Sequence, residues 1–340
     1  MLNTITIIGG GVAGLSLGIS LRRQGVPVTV HEAGCYPRHR VCGEFLNGLS
    51  DTTINELGIE SILQDASQNR STAWFIGDDL SYQADLPEPA RGLSRYVMDH
   101  ALAQRFQELD GTLLTQSQVS LDGEEAIWCT GRLPDKTSPW LGMKCHLSGF
   151  SLTADLEMHL GAHAYVGLSR IEEGKVNLCG LFHRQRNSSS ASSKINRLLG
   201  QLRLHGLHEL AERTQKANHD EASFKSVAGF RMGAQSLPPQ KVALGDHQHM
   251  ICPFTGNGMT MALQSAAIAS PLLVQVAHSD LSWSAMRRTL KRDLVAAHRG
   301  RVHRALLVQP FLFHGRRRRA LEFVLRYRLL PLRALWHALC

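Results

Sequence analysis

The stretch Thr4–Arg23, TITIIGGGVAGLSLGISLRR, decides the fold. Residues 4–8 form a short β-branched run, the pattern of a buried strand. Glycines follow at 9, 11 and 14, and Leu15-Ser16-Leu17-Gly18 opens an amphipathic helix running to about Arg23. A second apolar run, VPVTVHE, ends at Glu32. Strand, Gly9-x-Gly11-x-x-Gly14, helix, strand and terminal acid is the order of a dinucleotide-binding βαβ unit. Gly9 permits the tight turn, Gly11 lets backbone approach a pyrophosphate, and Gly14 lets helix and sheet pack closely. The helix start supplies unpaired N–H groups and the positive end of a dipole. Glu32 sits where a carboxylate accepts from ribose hydroxyls, a residue that an ordinary glycine-rich turn leaves unexplained.

Around this unit the chain has 340 residues, 43 % of them hydrophobic, enough for a sizeable core in one large domain or two interleaved ones. No run of eighteen apolar residues occurs, so no spanning helix is expected, and the first residues lack the pattern of a secretory leader. The seven cysteines include no CxxC pair and are read as reduced thiols of a cytoplasmic protein. Charge is unevenly placed. From Arg287 to Cys340 fourteen Lys/Arg face two Asp/Glu, about +12, while the preceding residues carry about −4 of the formal net charge of +8. A nucleic-acid-binding surface would not be confined in this way, so no nucleic-acid partner is expected.

Two distant segments choose between NAD and FAD. The first is Pro37-Arg38-His39-Arg40-Val41-Cys42-Gly43-Glu44, an irregular insertion after the second strand. It resembles the Pro-Arg-x-Lys-x-Cys-Gly-Gly segment of FAD enzymes in the geranylgeranyl reductase and aromatic hydroxylase (para-hydroxybenzoate hydroxylase-like) superfamily, with Arg40 for Lys and Glu44 for Gly. The second is GDHQHMICPFTGNGM, Gly245–Met259. It is similar to that superfamily's Gly-Asp-…-Pro-x-x-Gly-x-Gly segment. The resemblance implies that Asp246 binds a ribityl hydroxyl. It implies that Pro253, Gly256, Asn257, Gly258 and Met259 bring backbone N–H groups and a helix start against the isoalloxazine, where reduced flavin holds negative charge. His247, Gln248 and His249 stand where small residues are usual. GLSRYVMDHALAQRF, Gly92–Phe106, resembles the segment Ser-Arg-x-x-(Leu/Met)-Asp-x-x-Leu, implying that Arg95 lies near the flavin's ribityl or phosphate chain; Arg40 joins the cofactor-binding set.

The resemblance covers roughly residues 1–275. It implies an α/β protein with a Rossmann-like FAD-binding domain of glutathione reductase type, interleaved with an antiparallel-sheet substrate domain. The expected FAD-binding segments are 1–75, 92–132 and 224–280, and the substrate-domain segments 76–91 and 133–223. Residues 140–183 alternate with period two and read as about four strands, including LGMKCHL and GKVNLCGL, similar to Gly-x-Lys-x-His and Gly-x-x-Asn-x-Cys-x-Leu segments of the superfamily. SVAGFRMG, Ser226–Gly233, reads as a strand returning to the FAD domain, after a polar connector at Asn187–Lys194.

No second GxGxxG is present, so NAD(P)H is expected as a transient electron donor. Two reactions fit: hydroxylation by reduced FAD and O2 of a hydrophobic aromatic, polyketide or isoprenoid-like substrate, and reduction of a C=C bond as in geranylgeranyl reductases. Halogenation is disfavoured, because Trp-x-Trp-x-Ile-Pro is not visible. A non-catalytic FAD-binding protein is the third reading. Cys42 and Glu44 are the catalytic candidates. Cys42 is a proton donor if Arg38 and Arg40 lower its pKa, against the plain reading of a small buried residue. Glu44 is a general acid/base, against a surface carboxylate paired with Arg40. His146 and His159 read as core or cavity-lining, and no spacing supports a metal site.

The basic region 281–340 reads as helical. Arg316–Arg319 precede Leu321, Val324, Leu325 and Tyr327 at helical spacing, Pro331 breaks the pattern, and Leu332, Leu335, Trp336 and Leu339 follow. Such a pattern suits peripheral membrane contact or docking to an acidic carrier protein. It also suits helices packed on the domain with a solvated basic face.

Overall fold

The computed structural model describes residues 2–119, 125–184, 193–235, 237–238, 240–313 and 315–339; most of the connector at 187–194 lies outside them. One sheet is five-stranded and parallel, in the order Val242–Ala243, Ala126–Trp128, Ile5–Ile8, Val28–His31, Thr112–Leu114. Ile5 pairs with Val28 and Ile8 with His31. Parallel strands need cover on both faces, and this explains why the helix Val12–Arg23 is apolar almost all round. Leu15, Leu17, Ile19 and Leu21 on it are fully buried. Helix Arg95–Glu108 approaches it over Gly18, where a Cβ would stand 2.8 Å from the Phe106 ring. Gly258–Ala277 packs on the same core. That helix is long and apolar enough to cross a bilayer, but most of it is buried among Leu15, Ile54 and Leu290 of this core.

The second sheet has eight strands, in the order Asn218–Ala228, Trp140–Ser148, Val176–His183, Ala164–Arg170, Leu156–Gly161, Ser67–Ile76, Asp79–Gly92, Phe45–Leu46. Four strands cover 140–183, as the alternation predicts. The sheet is mixed rather than wholly antiparallel, because Ser67–Ile76 runs parallel to Leu156–Gly161. Two exchange points differ from the sequence reading. Phe45–Leu46 and the strand Ser67–Ile76 already belong to this sheet, so the chain has reached it by residue 45 rather than at 76. Asn218–Ala228 pairs with Trp140–Ser148, so Ser226 ends a strand of the large sheet and is not on a returning strand. Both segments carry polar side chains on one face, and alternation alone does not say which sheet a strand joins.

Three helices follow, Trp283–Phe313, Gly315–Arg326 and Leu332–Leu339. Their inner residues Leu312, Phe313 and Leu325 are buried with Tyr82, Leu160 and Tyr165 of the large sheet. The tail therefore completes the fold, with Pro331 between its last two helices.

Two buried histidines make this fold acid-sensitive. Burial pushes His247 down to about 4, with Lys241 adding to the effect, and burial likewise pushes His298 down to about 4, beside Arg301 and His249. Both folded values lie below the ordinary 6.5, so the unfolded chain binds more protons between the two. Their stabilisation is complete above the ordinary value and is lost as pH falls through about 4. The melting temperature is expected to drop on acidification from neutral pH to about 4.5, and His298→Gln should flatten that drop in a fluorimetric melt.

Candidate active site

Three chain segments distant in sequence meet at one place. The helix Val12–Arg23 begins at Gly11 with no side-chain cap, and the helix Gly258–Ala277 begins at Asn257, also uncapped by any side chain. Between them sits the turn Gly245–Asp246. A Cβ on Gly245 would lie 3.5 Å from both Ala13, in the first turn of one helix, and Ala262, in the second turn of the other. A Cβ on Gly258 would lie 4.0 Å from Asp246 Oδ1. Two positive helix ends thus converge on one carboxylate-bearing turn. Burial pushes Asp246 up to about 6, against Arg95 and Arg132.

The glycines at the first turn are dictated by close approach. Gly9 has φ of +110°, and a Cβ there would meet Cys129 O at 2.4 Å. A Cβ on Gly14 would meet Gly9 O at 2.0 Å. Gly11 differs, since its nearest neighbour would be Arg95 Nη2 at 3.6 Å, so its face is open. Glu32 is buried and accepts from the N–H groups of Gly10 at 2.9 Å and Gly34 at 2.8 Å, and pairs with Arg38 at 2.6 Å. Burial opposes its ionisation, but the Gly34 N–H and Arg38 outweigh burial and hold it below the usual range. Its present contacts fix the following loop, a role not anticipated from sequence. Arg95 forms a two-toothed pair with Asp99, both contacts 2.7 Å, which holds its guanidinium beside Gly11.

Arg40 lies 3.9 Å from both Glu32 and Asp99, and its Nε is buried with no hydrogen-bond partner. Asn257 is fully buried, and its Oδ1 likewise lacks a partner. Open helix ends, a bare glycine face, three arginines and the unpartnered Arg40 Nε are the donor set a pyrophosphate-linked dinucleotide needs, and the residues fit such a group.

Next to this cradle lies an apolar cavity of about 280 Å³. Cys42, Gly43, Glu44, Asp246, Pro253, Gly256, Gly258 and Met259 line one side of it. The large sheet contributes Trp74, Met158, Tyr165, Cys179 and Leu181, and the tail contributes Leu312, Leu321, Leu332, Leu335, Trp336 and Leu339. Asn257 stands behind the wall, donating to Leu339 O at 2.6 Å, so the tail is pinned to the Pro253–Met259 turn. The indole N–H groups of Trp74 and Trp336 are buried without a hydrogen-bond partner among the described residues. His247, Gln248 and His249 do not line the cavity; His247 instead contacts Thr130 Oγ1 at 2.6 Å. Their bulk is absorbed outside the site.

The loop Cys42–Glu44 is strapped to the sheet residue by residue. Asn177 Nδ2 donates to Cys42 O at 3.0 Å, and Ser169 Oγ donates to Gly43 O at 3.2 Å. Glu44 is completely buried, receiving Lys144 Nζ at 2.5 Å, His146 Nε2 at 2.6 Å and the Arg95 N–H at 3.0 Å. Burial opposes its ionisation, yet Lys144 and His146 together hold it below the usual carboxylate range. This corrects the surface pairing with Arg40. Glu44 also has φ of +55°, a left-handed conformation natural to glycine. That explains how the resembling segment carries Gly at this place, and it marks the glutamate as held there by its three partners.

Cys42 is corrected too. Arg38 and Arg40 turn toward Glu32 and Asp99 and are not its neighbours. Burial pushes its thiol up, against Arg95 and Lys144, so it remains a protonated thiol at neutral pH.

Lys144 and His146 were not singled out from sequence as one site with Glu44. Their signal was the alternation at Gly142, Lys144 and His146, which places all three on one sheet face. Gly142 leaves room for the loop, since a Cβ there would stand 3.1 Å from Val41 Cγ1. Arg132, which donates to Gly229 O at 2.8 Å and stacks over Phe230, is a further lining residue with no sequence motif.

No protein-family model and no curated sequence matches the chain. Solved structures do match its fold. Para-nitrophenol 4-monooxygenase PnpA from Pseudomonas putida DLL-E4 superposes with a TM-score of 0.78 at 14 % identity, over 99 % of this chain and 97 % of that one. The flavin-dependent brominase Bmp2 gives 0.76 at 16 %, over 99 % and 93 %. HpxO of Klebsiella pneumoniae, solved with FAD and uric acid, gives 0.73 at 14 %, over 99 % and 96 %. The chain is therefore similar in fold, across nearly its whole length, to flavin-dependent enzymes.

Proposed function

We propose that this protein is an FAD-dependent monooxygenase that hydroxylates a hydrophobic aromatic, polyketide or isoprenoid-like small molecule, using NAD(P)H and O2. The observation that carries this reading is the junction of the two helix starts and Asp246 with an apolar cavity. Fold likeness to PnpA and HpxO, whose names and ligands are aromatic, supports it as analogy.

When bound, FAD would supply electron transfer from the nicotinamide and activation of oxygen. The chain's own residues do the rest. Gly9, Gly11, Gly14, Glu32, Arg40 and Arg95 would hold the adenosine and pyrophosphate, and Asp246 the ribityl chain. The uncapped start of the helix at Gly258 would offer its positive end to negative charge on a bound flavin. The aliphatic walls exclude water from the reacting centre. Glu44, held by Lys144 and His146, presents a buried carboxylate to the cavity as a general base, and Cys42 lines the wall beside it as an unactivated thiol.

The test is direct. Purified protein should be yellow, consume NAD(P)H, and convert a panel of hydrophobic phenols and polyketides to products one oxygen heavier. Products two hydrogens heavier would replace hydroxylation with C=C reduction. Bound flavin with no turnover of NAD(P)H across the panel points to a non-catalytic FAD-binding protein, and a colourless protein that takes up no FAD sinks the reading.

A further inference from the structure

The last helices have two unlike faces. On Gly315–Arg326 and the turn after it, Leu321 and Leu330 point into the cavity and Leu325 is buried beneath them. On the outside, Phe323 is 57 % exposed, Tyr327 61 % and Leu329 60 %. The rings of Phe323 and Tyr327 touch, their centroids 4.5 Å apart, so the exposed apolar atoms form one knob. By helical spacing Arg316, Arg319 and Arg326 lie on the side of Phe323, and they and Arg317 are exposed with no carboxylate at ion-pair distance among the described residues. Arg318 alone turns inward, pairing with Glu322 at 2.9 Å and donating to Leu160 O at 2.9 Å.

We propose that this face docks on an anionic lipid bilayer, with Phe323, Tyr327 and Leu329 entering the headgroup region and the arginines over it. Charge complementarity selects the occupant. The stretch from Arg287 onward carries about +12, whereas the rest of the chain carries about −4. An anionic surface therefore attracts this end of the chain more than the remainder. Exposed aromatic and leucine side chains among arginines match an interface that is charged outside and apolar within. Leu329 faces outward and Leu330 lines the cavity, so the same few residues form both the lipid-facing surface and the cavity wall. Delivery of a membrane-dissolved substrate follows only on the apolar-substrate reading above; the docking itself does not depend on it.

The experiment is co-sedimentation of the full chain with sucrose-loaded vesicles, either pure phosphatidylcholine or with about one third phosphatidylglycerol. The anionic vesicles should bind at least about tenfold more tightly, and binding should fall steeply as salt shortens the screening length. The variant Phe323→Ser/Tyr327→Ser should lose most of this binding while keeping its melting temperature, since both side chains are on the outside. Equal binding to the two vesicle types, or a double variant that binds like the parent, overturns the proposal. Capture of an acidic carrier protein with no vesicle binding overturns it in favour of a protein partner. A protein that binds vesicles but takes up no FAD would leave docking intact and remove the enzymatic reading.

Discussion

Glu44→Ala is expected to be among the most destabilising single substitutions in this protein. It removes the carboxylate that, among the described residues, alone faces Lys144 Nζ and His146 Nε2, at 2.5 and 2.6 Å, in a place where Lys144 is itself completely buried. Breaking a buried pair from one side leaves an uncompensated charge and costs about 3–5 kcal/mol. For a chain of this length that lowers the melting temperature by roughly 5 °C or more. Two companion variants separate charge from backbone. Glu44→Gly also loses the carboxylate but relaxes the left-handed φ of +55°, which costs a non-glycine residue about 1–2 kcal/mol, so it should melt above Glu44→Ala. Glu44→Gln/Lys144→Met removes both charges, and it should recover most of the loss. If all three variants melt together with the parent, the cluster is not a buried ion pair. The pH sign agrees: the folded carboxylate sits below its ordinary 4.5, so its contribution is full above that value and disappears as pH falls through the folded value.

This cluster shows where the sequence was legible and where it was not. The βαβ unit could be read because each of its requirements is local. Strand, glycines, helix and Glu32 are contiguous, and the steric reasons for Gly9 and Gly14 lie within the same turn or against Cys129. The second helix start could be read because Pro253, Gly256 and Gly258 are also local, although its place beside Gly11 came only from a resemblance. Glu44 was visible as an odd acid in a loop, but its partners lie on a strand 100 residues away. Only the sheet register puts Lys144 opposite Cys179 and Asn177 opposite His146, and hence the four around the loop. The tail was legible as amphipathic helices, and its apolar stripe was real. Which surface that stripe covers depends on the position of the cavity, which no helical period encodes. The sheet to which Ser67–Ile76 and Asn218–Ala228 belong was missed for the same reason, because a half-polar strand announces its pleat and not its sheet.

Gly11→Ala should have the largest effect on cofactor binding that leaves the fold intact, and the contrast with Gly14→Val makes that a sharp test. Both glycines belong to the same fingerprint. At Gly14 the added atoms would stand 2.0 Å from Gly9 O and 3.2 Å from Cys129 Cβ, both part of the packed strand–helix contact. Neither neighbour has room to yield, so Gly14→Val is expected to give little soluble protein. At Gly11 the backbone has φ of −92° and ψ of −168°, an extended conformation open to any residue, and the new methyl would meet only the Arg95 guanidinium at 3.6 Å. Gly11→Ala therefore folds and melts near the parent. What it fills is the face through which backbone N–H groups would reach a pyrophosphate. A methyl there separates donors from phosphate oxygens beyond hydrogen-bond distance. Loss of even two charge-assisted bonds, each about 1.5–3 kcal/mol, weakens FAD by roughly a hundredfold or more. Titration of the apoprotein with FAD, followed by quenching of flavin fluorescence, measures the loss directly. A Gly11→Ala protein that is stable and binds FAD as tightly as the parent would show that the dinucleotide does not approach over this turn.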